Sequence, residues 1–236
     1  MLIQSRSQAE PDVMARLTIE EVRNLCQDAL RSLGYSSNEA IIISDHLVDA
    51  QLRGHPFAGI ARTLSIIETV QSLAKSTANS IKITRSAPAF AHIDGGDAVG
   101  YLVAHRATTI AIEKARQTGI SLVGANGMWY TGNLSYYAEM AAKEGLVTLI
   151  ASNGSPIVAP HGGCEPKFCT HPFCIGFSTG DRDQPVIWDI GTSRIMFAQA
   201  VLGQRLGARL PEDVAFDSSG KPTTDPCEVL DGALAA

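Results

Sequence analysis

Residues 145–193 read GLVTLIASNGSPIVAPHGGCEPKFCTHPFCIGFSTGDRDQPVIWDIGTS, a stretch that concentrates glycine, proline, histidine and cysteine. It contains three short apolar runs, each followed by turn-forming residues, at 146–151, 173–177 and 185–188. Runs of this length bounded by such residues are typical of β-strands. Asn153-Gly154 and Gly162-Gly163 permit positive φ and bring backbone N–H groups close together. They are therefore either ordinary turns or a cradle for an anion such as phosphate.

Composition narrows the class of protein. The 236 residues suffice for one large domain or two small ones, and 45% hydrophobic with 18% charged residues is typical of soluble globular proteins. A net charge of −5 argues against a broad basic face for nucleic acid. No segment has the pattern of a signal peptide or a membrane span, so the cytoplasm is the expected compartment. Five cysteines, an odd number, favour reduced thiols over a disulfide framework.

The beginning of the chain is predicted to be helical. Residues 18–33 and 36–53 each begin with a capping-box pattern and continue with amphipathic spacing. A third helix is expected to begin after Pro56, with apolar positions as far as Leu73. His46 lies on or near the apolar face of the second helix, where the pattern favours a hydrogen-bonded structural histidine over a ligand.

Strand and helix patterns alternate after this region. Strands are predicted over 81–84, 89–93 and 120–124, and helices over 98–117, 134–143 and about 195–207. Gly95-Gly96 is expected to close the second strand, and Gly119 to end the long helix. We therefore expect an α/β fold with a helical region at 1–75, a mixed-sheet nucleotide-binding domain at 76–210 and a C-terminal loop at 211–236. No GxGxxG sequence follows a predicted strand, which argues against a Rossmann fold.

The order of four motifs carries a family resemblance. These are SNGSPIVAPHGG at 152–163, THPF at 170–173, WDIGTS at 188–193 and LPEDVAFDSSGKPTTDP at 210–226. In this order they resemble the type 2 malate/L-lactate dehydrogenase family, which includes ureidoglycolate dehydrogenases and Δ1-piperideine-2-carboxylate reductases. The resemblance extends from about Leu17 onward. It implies a nicotinamide-binding α/β fold that differs from the Rossmann fold.

The resemblance also implies an activity. We expect a cytoplasmic homodimer that uses NAD or NADP to interconvert a small 2-hydroxy acid and the corresponding 2-oxo acid. Reduction of a cyclic imino acid is an alternative, and a catalytically impaired structural or regulatory subunit is another. Relatives continue beyond the position of Leu230 with a Gly-Gly-His-Lys-Gly type motif and a cofactor-contacting lysine. We therefore expect part of the substrate domain to be missing from this chain or to be supplied by a partner.

Hydride transfer to a 2-oxo acid needs a cation for the carboxylate. Arg62 is the candidate, because a guanidinium can grip a carboxylate with two parallel hydrogen bonds. Residues 59–62 keep the Gly-x-x-Arg part of the family's Ser-His-Gly-x-x-Arg signature, but Phe57-Ala58 replaces Ser-His. His55 is a substitute to consider for the missing histidine. A solvated helix arginine is the competing interpretation of Arg62.

The reaction also needs a proton donor and acceptor. A second histidine of the family is missing, and Tyr130 is the residue nearest its position in NGMWYTGN at 126–133. A tyrosine can act as a general acid when its environment, typically a neighbouring cation, lowers its pKa. The competing interpretation is an aromatic residue that packs the loop beside Trp129.

The resemblance assigns cofactor contacts to six residues: Asn153, Gly154, Thr170, Asp189, Ile190 and Gly191. A carboxylate at a strand end can accept hydrogen bonds from ribose hydroxyls, which gives Asp189 a physical role. A competing hypothesis is a metal site built from five nearby side chains: His161, Cys164, Cys169, His171 and Cys174. The spacing is unlike that of zinc sites, and Cys174 falls in an apolar strand, so no metal is expected. The family usually has asparagine where His171 stands.

Overall fold

The computed structural model describes residues 16–72 and 80–236. In these ranges the elements follow the order α1 (Ile19–Ser32), α2 (Ser37–Leu52), α3 (Arg62–Ser72), β1 (Lys82–Ala87), β2 (Phe90–Val99), α4 (Gly100–Thr118), β3 (Leu122–Trp129), α5 (Leu134–Lys143), β4 (Thr148–Ala151), β5 (Phe173–Phe177), β6 (Val186–Ile190), α6 (Phe197–Leu206), β7 (Ala215–Phe216), α7 (Pro226–Val229) and β8 (Ala233–Leu234). The predicted α/β class is confirmed. No helix in these ranges is both long and apolar enough to span a lipid bilayer.

Both predicted capping boxes are present. The Thr18 hydroxyl accepts a hydrogen bond from the Glu21 N–H at 3.2 Å, and the Glu21 carboxylate accepts one from the Thr18 N–H at 2.7 Å. Ser36 and Glu39 repeat this arrangement at the start of α2. These reciprocal bonds satisfy N–H groups that the first helical turn leaves without partners. Helices α1, α2 and α3 then bury a shared core that contains Leu30, Ile43, Leu47, Ile66 and Tyr101.

The third helix begins at Arg62, so the prediction of a start after Pro56 is wrong. The preceding residues form successive tight turns, in which Ala58 N–H donates to the His55 carbonyl and Arg62 N–H donates to the Gly59 carbonyl. Gly59 lies directly on α2, where a Cβ would be 2.4 Å from Gln51 Oε1. The segment before Arg62 therefore forms turns, and not a regular helix, where Gly59 packs against α2. Leu73, the last predicted helical position, lies outside the described residues.

The first sheet has the order β1-β2-β3. Strand β1 is antiparallel to β2, whereas β2 and β3 are parallel and connected by α4. The prediction that Gly95-Gly96 closes the second strand is wrong, because β2 continues to Val99 through a register shift between Asp94 and Ala98. Strand β3 is also longer than predicted and delivers Tyr130 to its carboxyl end. Helix α4 ends as predicted at Gly119, with φ of 82°.

The second sheet is antiparallel, with the order β4-β5-β6. Helix α5 covers one face, on which Leu134, Tyr137 and Ala138 pack against the buried Cys174. The other face carries exposed apolar side chains: Leu149, Phe177, Val186, Trp188 and Ile190. The face away from α5 is therefore the more exposed of the two.

The C-terminal segment is not a continuous loop, so that prediction is wrong. Strands β7 and β8 pair antiparallel, and Asp225 caps the short α7, whose first residue is Pro226. Ala159 N–H also donates to the Leu234 carbonyl at 2.8 Å, which ties residues 152–163 to the end of the chain. This pairing, together with burial of Val214 and Leu234 against α6, gives the segment its structure.

Candidate functional site

Arg62 opens α3, and its half-buried guanidinium is held among aromatic side chains. Its central carbon lies 4.1 Å from the centre of the Tyr130 ring. Its Nη1 atom is 3.5 Å from the Ser65 hydroxyl, at the limit of a hydrogen bond. Within residues 16–72 and 80–236, no carboxylate lies within ion-pair distance of Arg62. The side chain is therefore a half-buried cation that these residues do not neutralise.

Tyr101 is a third member of this group. It is 1% exposed and lies close enough to Arg62 for the two side chains to interact electrostatically. Burial, the larger effect, raises the pKa of Tyr101, while the charge and hydrogen bond of Arg62 oppose this rise. Sequence reasoning missed Tyr101, because it lies in a buried helical turn and resembles an ordinary core residue.

Tyr130 directly follows β3 and has a left-handed backbone, with φ of 57°. The Thr69 hydroxyl donates to its phenolic oxygen at 3.3 Å, so the Tyr130 proton is available to another acceptor. The Trp129 ring is 5.1 Å away and nearly perpendicular. The two predicted catalytic residues, Arg62 and Tyr130, are therefore in contact. The Arg62 guanidinium lies over the face of the Tyr130 ring and not beside its hydroxyl. His55 is exposed and lies 5.8 Å from the Phe57 ring.

A narrow cleft runs beside Arg62 between α3 and α6. Its walls are formed by Phe57, Ala61, Arg62, Ser65, Ala198, Val201, Leu202 and Arg205. The cavity volume is only about 10 Å³, enough for one water molecule at most. Arg205 bridges the two helices, since it donates to the Ala61 carbonyl at 2.9 Å and to Glu68 at 2.6 Å.

The residues assigned to cofactor contacts meet at one edge of the second sheet. The end of β4, the beginning of β5 and the end of β6 are aligned, with Ala151 opposite Phe173 and Phe173 opposite Ile190. This antiparallel register brings the segments 153–154, 170–171 and 189–191 to the same edge. The strand ends that carry these residues therefore lie side by side.

Hydrogen bonds order this edge. The Asn153 side-chain oxygen accepts from Gly154 N–H at 2.7 Å and lies 2.9 Å from His171 Nε2, which must carry a proton to donate to it. Thr170 is buried, and its carbonyl accepts from the N–H and the hydroxyl of Thr192. Asn153 and Gly154 remain exposed. The edge thus combines an exposed turn with a fixed, buried threonine.

Asp189 does not lie beyond its strand but within β6, on the face that α5 covers. Its Oδ2 atom accepts from the Ser135 N–H at 2.7 Å, so one carboxylate oxygen stabilises the positive end of α5. Burial, and secondarily the Asp189 charge, raise the pKa of the neighbouring Cys174 to about 12. Sequence reasoning missed this capping role, because Ser135 and Asp189 are far apart in the chain.

No metal site emerges in the part of the chain that the structure describes. No group of three or more histidine, cysteine or acidic side chains in that part is arranged to hold an ion. All five cysteines are free, with Cys26 and Cys174 buried and Cys164 and Cys227 exposed.

A family model described as malate/L-lactate dehydrogenase matches residues 17–236. The chain belongs to the malate/L-lactate dehydrogenase family. Malate/(S)-sulfolactate dehydrogenase of Methanothermus fervidus is 34% identical over 215 residues, which are 91% of this chain and 63% of that protein. The structure of a putative malate/lactate dehydrogenase from E. coli superimposes with a TM-score of 0.84 at 31% identity, over 94% of this chain and 63% of that one.

Members of the family with other names are also similar to this chain. Delta(1)-pyrroline-2-carboxylate/Delta(1)-piperideine-2-carboxylate reductase of Pseudomonas putida is 29% identical over 93% of this chain. The chain spans 63% and 64% of the length of the two curated relatives named here. The family resemblance seen in the four motifs is therefore confirmed over nearly the whole chain.

Proposed function

We propose that the protein is an NAD(P)-dependent oxidoreductase that interconverts a small 2-hydroxy acid and the corresponding 2-oxo acid. The observation that carries this proposal is the half-buried Arg62 guanidinium, which no described carboxylate neutralises. Removing a charge from water is costly unless a counter-ion compensates. A substrate carboxylate would provide that counter-ion and could form two parallel hydrogen bonds.

Tyr130 is the proposed proton donor and acceptor. Its hydroxyl accepts from Thr69 and retains its own proton for a substrate oxygen. The nearby Arg62 charge would stabilise negative charge on the reacting oxygen. Phe57 and Ala58 stand where the family resemblance implies Ser-His, and neither side chain can transfer a proton. The contact between the Tyr130 ring and the Arg62 guanidinium supports this assignment.

The edge formed by β4, β5 and β6 is the proposed nicotinamide cofactor site. Asn153 and Gly154 present an exposed turn there, while Thr170 and the segment 189–191 form its neighbouring wall. The chemistry of these groups fits a dinucleotide, because the exposed Asn153 amide can donate to phosphate and the Asp189 oxygen that does not bind Ser135 can accept from ribose hydroxyls. A bound NAD or NADP would accept or supply the hydride. Contacts of Asn153, Gly154, Thr170, Asp189, Ile190 and Gly191 with the cofactor are part of this proposal.

Two alternatives involve the same residues. A cyclic imino acid also carries a carboxylate that Arg62 could bind, and the Pseudomonas putida relative is named for such a substrate. A subunit that binds nucleotide without turnover is favoured by the replacement of Ser-His by Phe57-Ala58.

Domain boundaries near residues 75 and 210 remain part of the proposal. We also propose a cytoplasmic homodimer, which sedimentation velocity and cell fractionation would test.

The test combines a binding and a turnover measurement. NADH and NADPH are titrated by nicotinamide fluorescence, and consumption is followed with 2-oxo acids and Δ1-piperideine-2-carboxylate as substrates. Arg62→Lys keeps the charge but loses the guanidinium fork, so KM should rise about tenfold or more. Exposed Arg85→Lys is the matched control and should leave KM unchanged. Binding without turnover would select the non-catalytic alternative, and no binding of either nucleotide would contradict both.

A further inference from the structure

Residues 131–133 connect Tyr130 to α5, and three contacts fix this turn. The Tyr137 hydroxyl donates to the Thr131 carbonyl at 2.7 Å, and the Asn133 N–H donates to His46 Nε2 at 3.0 Å. Gly132, with φ of 73°, lies directly on the neighbouring rings. A Cβ there would be 2.3 Å from His46 Nε2. The turn is therefore packed onto His46 and hydrogen-bonded to it.

His46 itself lies in α2 and is 1% exposed. Its ring centre is 4.8 Å from that of Tyr101, 4.6 Å from Tyr136 and 5.3 Å from Tyr137. Burial, and secondarily the positive charge of Arg53, lower the pKa of His46 to about 3. The ring is therefore neutral at physiological pH. Its hydrogen bond with the Asn133 N–H agrees with the interpretation of His46 as a hydrogen-bonded structural histidine.

The position of the proton on the His46 ring shows which nitrogen accepts the hydrogen bond from the turn at 131–133. Because Nε2 accepts a hydrogen bond, it carries no proton, and the neutral ring must carry its proton on Nδ1. His46 Nδ1 is buried and has no hydrogen-bond partner among the described residues. A buried donor without a partner is unfavourable. The fold tolerates the unpaired Nδ1–H of His46. An apolar residue at position 46 would avoid this unpaired donor, but it could not accept the hydrogen bond from the Asn133 N–H.

We propose that His46 is a positioning residue that fixes the turn at 131–133 and thereby holds Tyr130 against Arg62. This inference rests on the proposed function, in which Arg62 binds the carboxylate and Tyr130 transfers the proton. The left-handed backbone of Tyr130 is unfavourable for a residue with a side chain, so the surrounding structure must enforce it. Without the bond to Asn133, the turn is expected to relax and the Tyr130 ring to leave the guanidinium.

Tyr101 provides a second connection between the same groups. Its ring packs edge-on against His46, and it interacts electrostatically with Arg62. Gly132 also touches Tyr101, since a Cβ would be 2.4 Å from its Cε1 atom. His46 therefore contacts both the turn that carries Tyr130 and the buried Tyr101, whose pKa the Arg62 charge lowers.

The test separates the acceptor from simple packing. In His46→Gln the amide oxygen can still accept from the Asn133 N–H, whereas His46→Leu fills the space without an acceptor. The ring current of Tyr130 should shift the NMR signal of the Arg62 Nε–H proton, and this shift should persist in the glutamine variant and vanish in the leucine variant. Affinity for oxamate, an unreactive analogue of a 2-oxo acid, should fall about tenfold or more with leucine and about threefold at most with glutamine.

A measurement on the unaltered protein guards against a variant that does not fold. Nitrogen-15 NMR should show His46 Nε2 without a proton and coupled through the hydrogen bond to the Asn133 amide. A proton on Nε2, or equal losses in both variants, would overturn the positioning role, as would an unchanged leucine variant. If the unaltered protein binds neither nicotinamide nucleotide nor oxamate, the proposed function fails, and the NMR measurements alone decide the role of His46.

Discussion

Replacing Gly132 by alanine should destabilise the protein more than any other conservative change in the turn at 131–133. Gly132 has φ of 73°, and an added Cβ would be 2.3 Å from His46 Nε2 and 2.4 Å from Tyr101 Cε1. Both rings are buried, so neither can move away without disturbing the core. The alanine methyl group would therefore push the turn off His46.

Two contributions determine how much Gly132→Ala lowers the free energy of unfolding. A left-handed backbone costs an alanine about 1–2 kcal/mol relative to glycine. Overlap with a packed core adds about 1–3 kcal/mol. The expected loss in the free energy of unfolding is therefore about 2–5 kcal/mol, a large part of the roughly 5–15 kcal/mol typical of native proteins.

Gly119 offers a matched control. It has φ of 82° at the end of α4, and an added Cβ would meet nothing within 4 Å. Gly119→Ala should therefore show only the backbone contribution of about 1–2 kcal/mol. Urea unfolding followed by circular dichroism measures both variants, and their difference isolates the overlap with His46 and Tyr101. If Gly132→Ala is no less stable than Gly119→Ala, the packing argument for the turn is wrong.

Three further predictions follow from other contacts. The pKa of His46 is about 3 in the folded protein and about 6.5 in the unfolded chain, so between these pH values only the unfolded chain binds a proton at His46. The free energy of unfolding should therefore fall by about 1.4 kcal/mol per pH unit as the pH decreases from 6.5 towards 3. His46→Gln should lack this component in urea titrations at several pH values. Asp189→Asn weakens the cap on α5 and should cost about 1 kcal/mol, whereas Asp183→Asn in an exposed loop should cost nothing measurable. Leu149→Lys on the exposed apolar face of β4-β5-β6 should reduce self-association in sedimentation velocity, and an equal effect of Ile120→Lys would argue against a special role of that face.

Some elements were predictable because their determinants are local. The capping boxes at Thr18 and Ser36, and the end of α4 at Gly119, depend on residues within one turn of each other. The short strands β7 and β8 were not predictable, since two residues carry no periodicity and their pairing joins distant positions. The late start of α3 also depends on contact with another helix, between Gly59 and Gln51.

The sequence by itself determined the α/β class and the family, and it identified Arg62, Tyr130 and the four family motifs, because these follow from local periodicity and from ordered motifs. The tertiary structure decided that Arg62 lies over the Tyr130 ring, that Asp189 caps α5 and that His46 accepts a hydrogen bond from the turn at 131–133. Each of these contacts joins residues far apart in the chain. Such partners meet only after apolar burial has packed the helices and sheets together, so no local pattern records them.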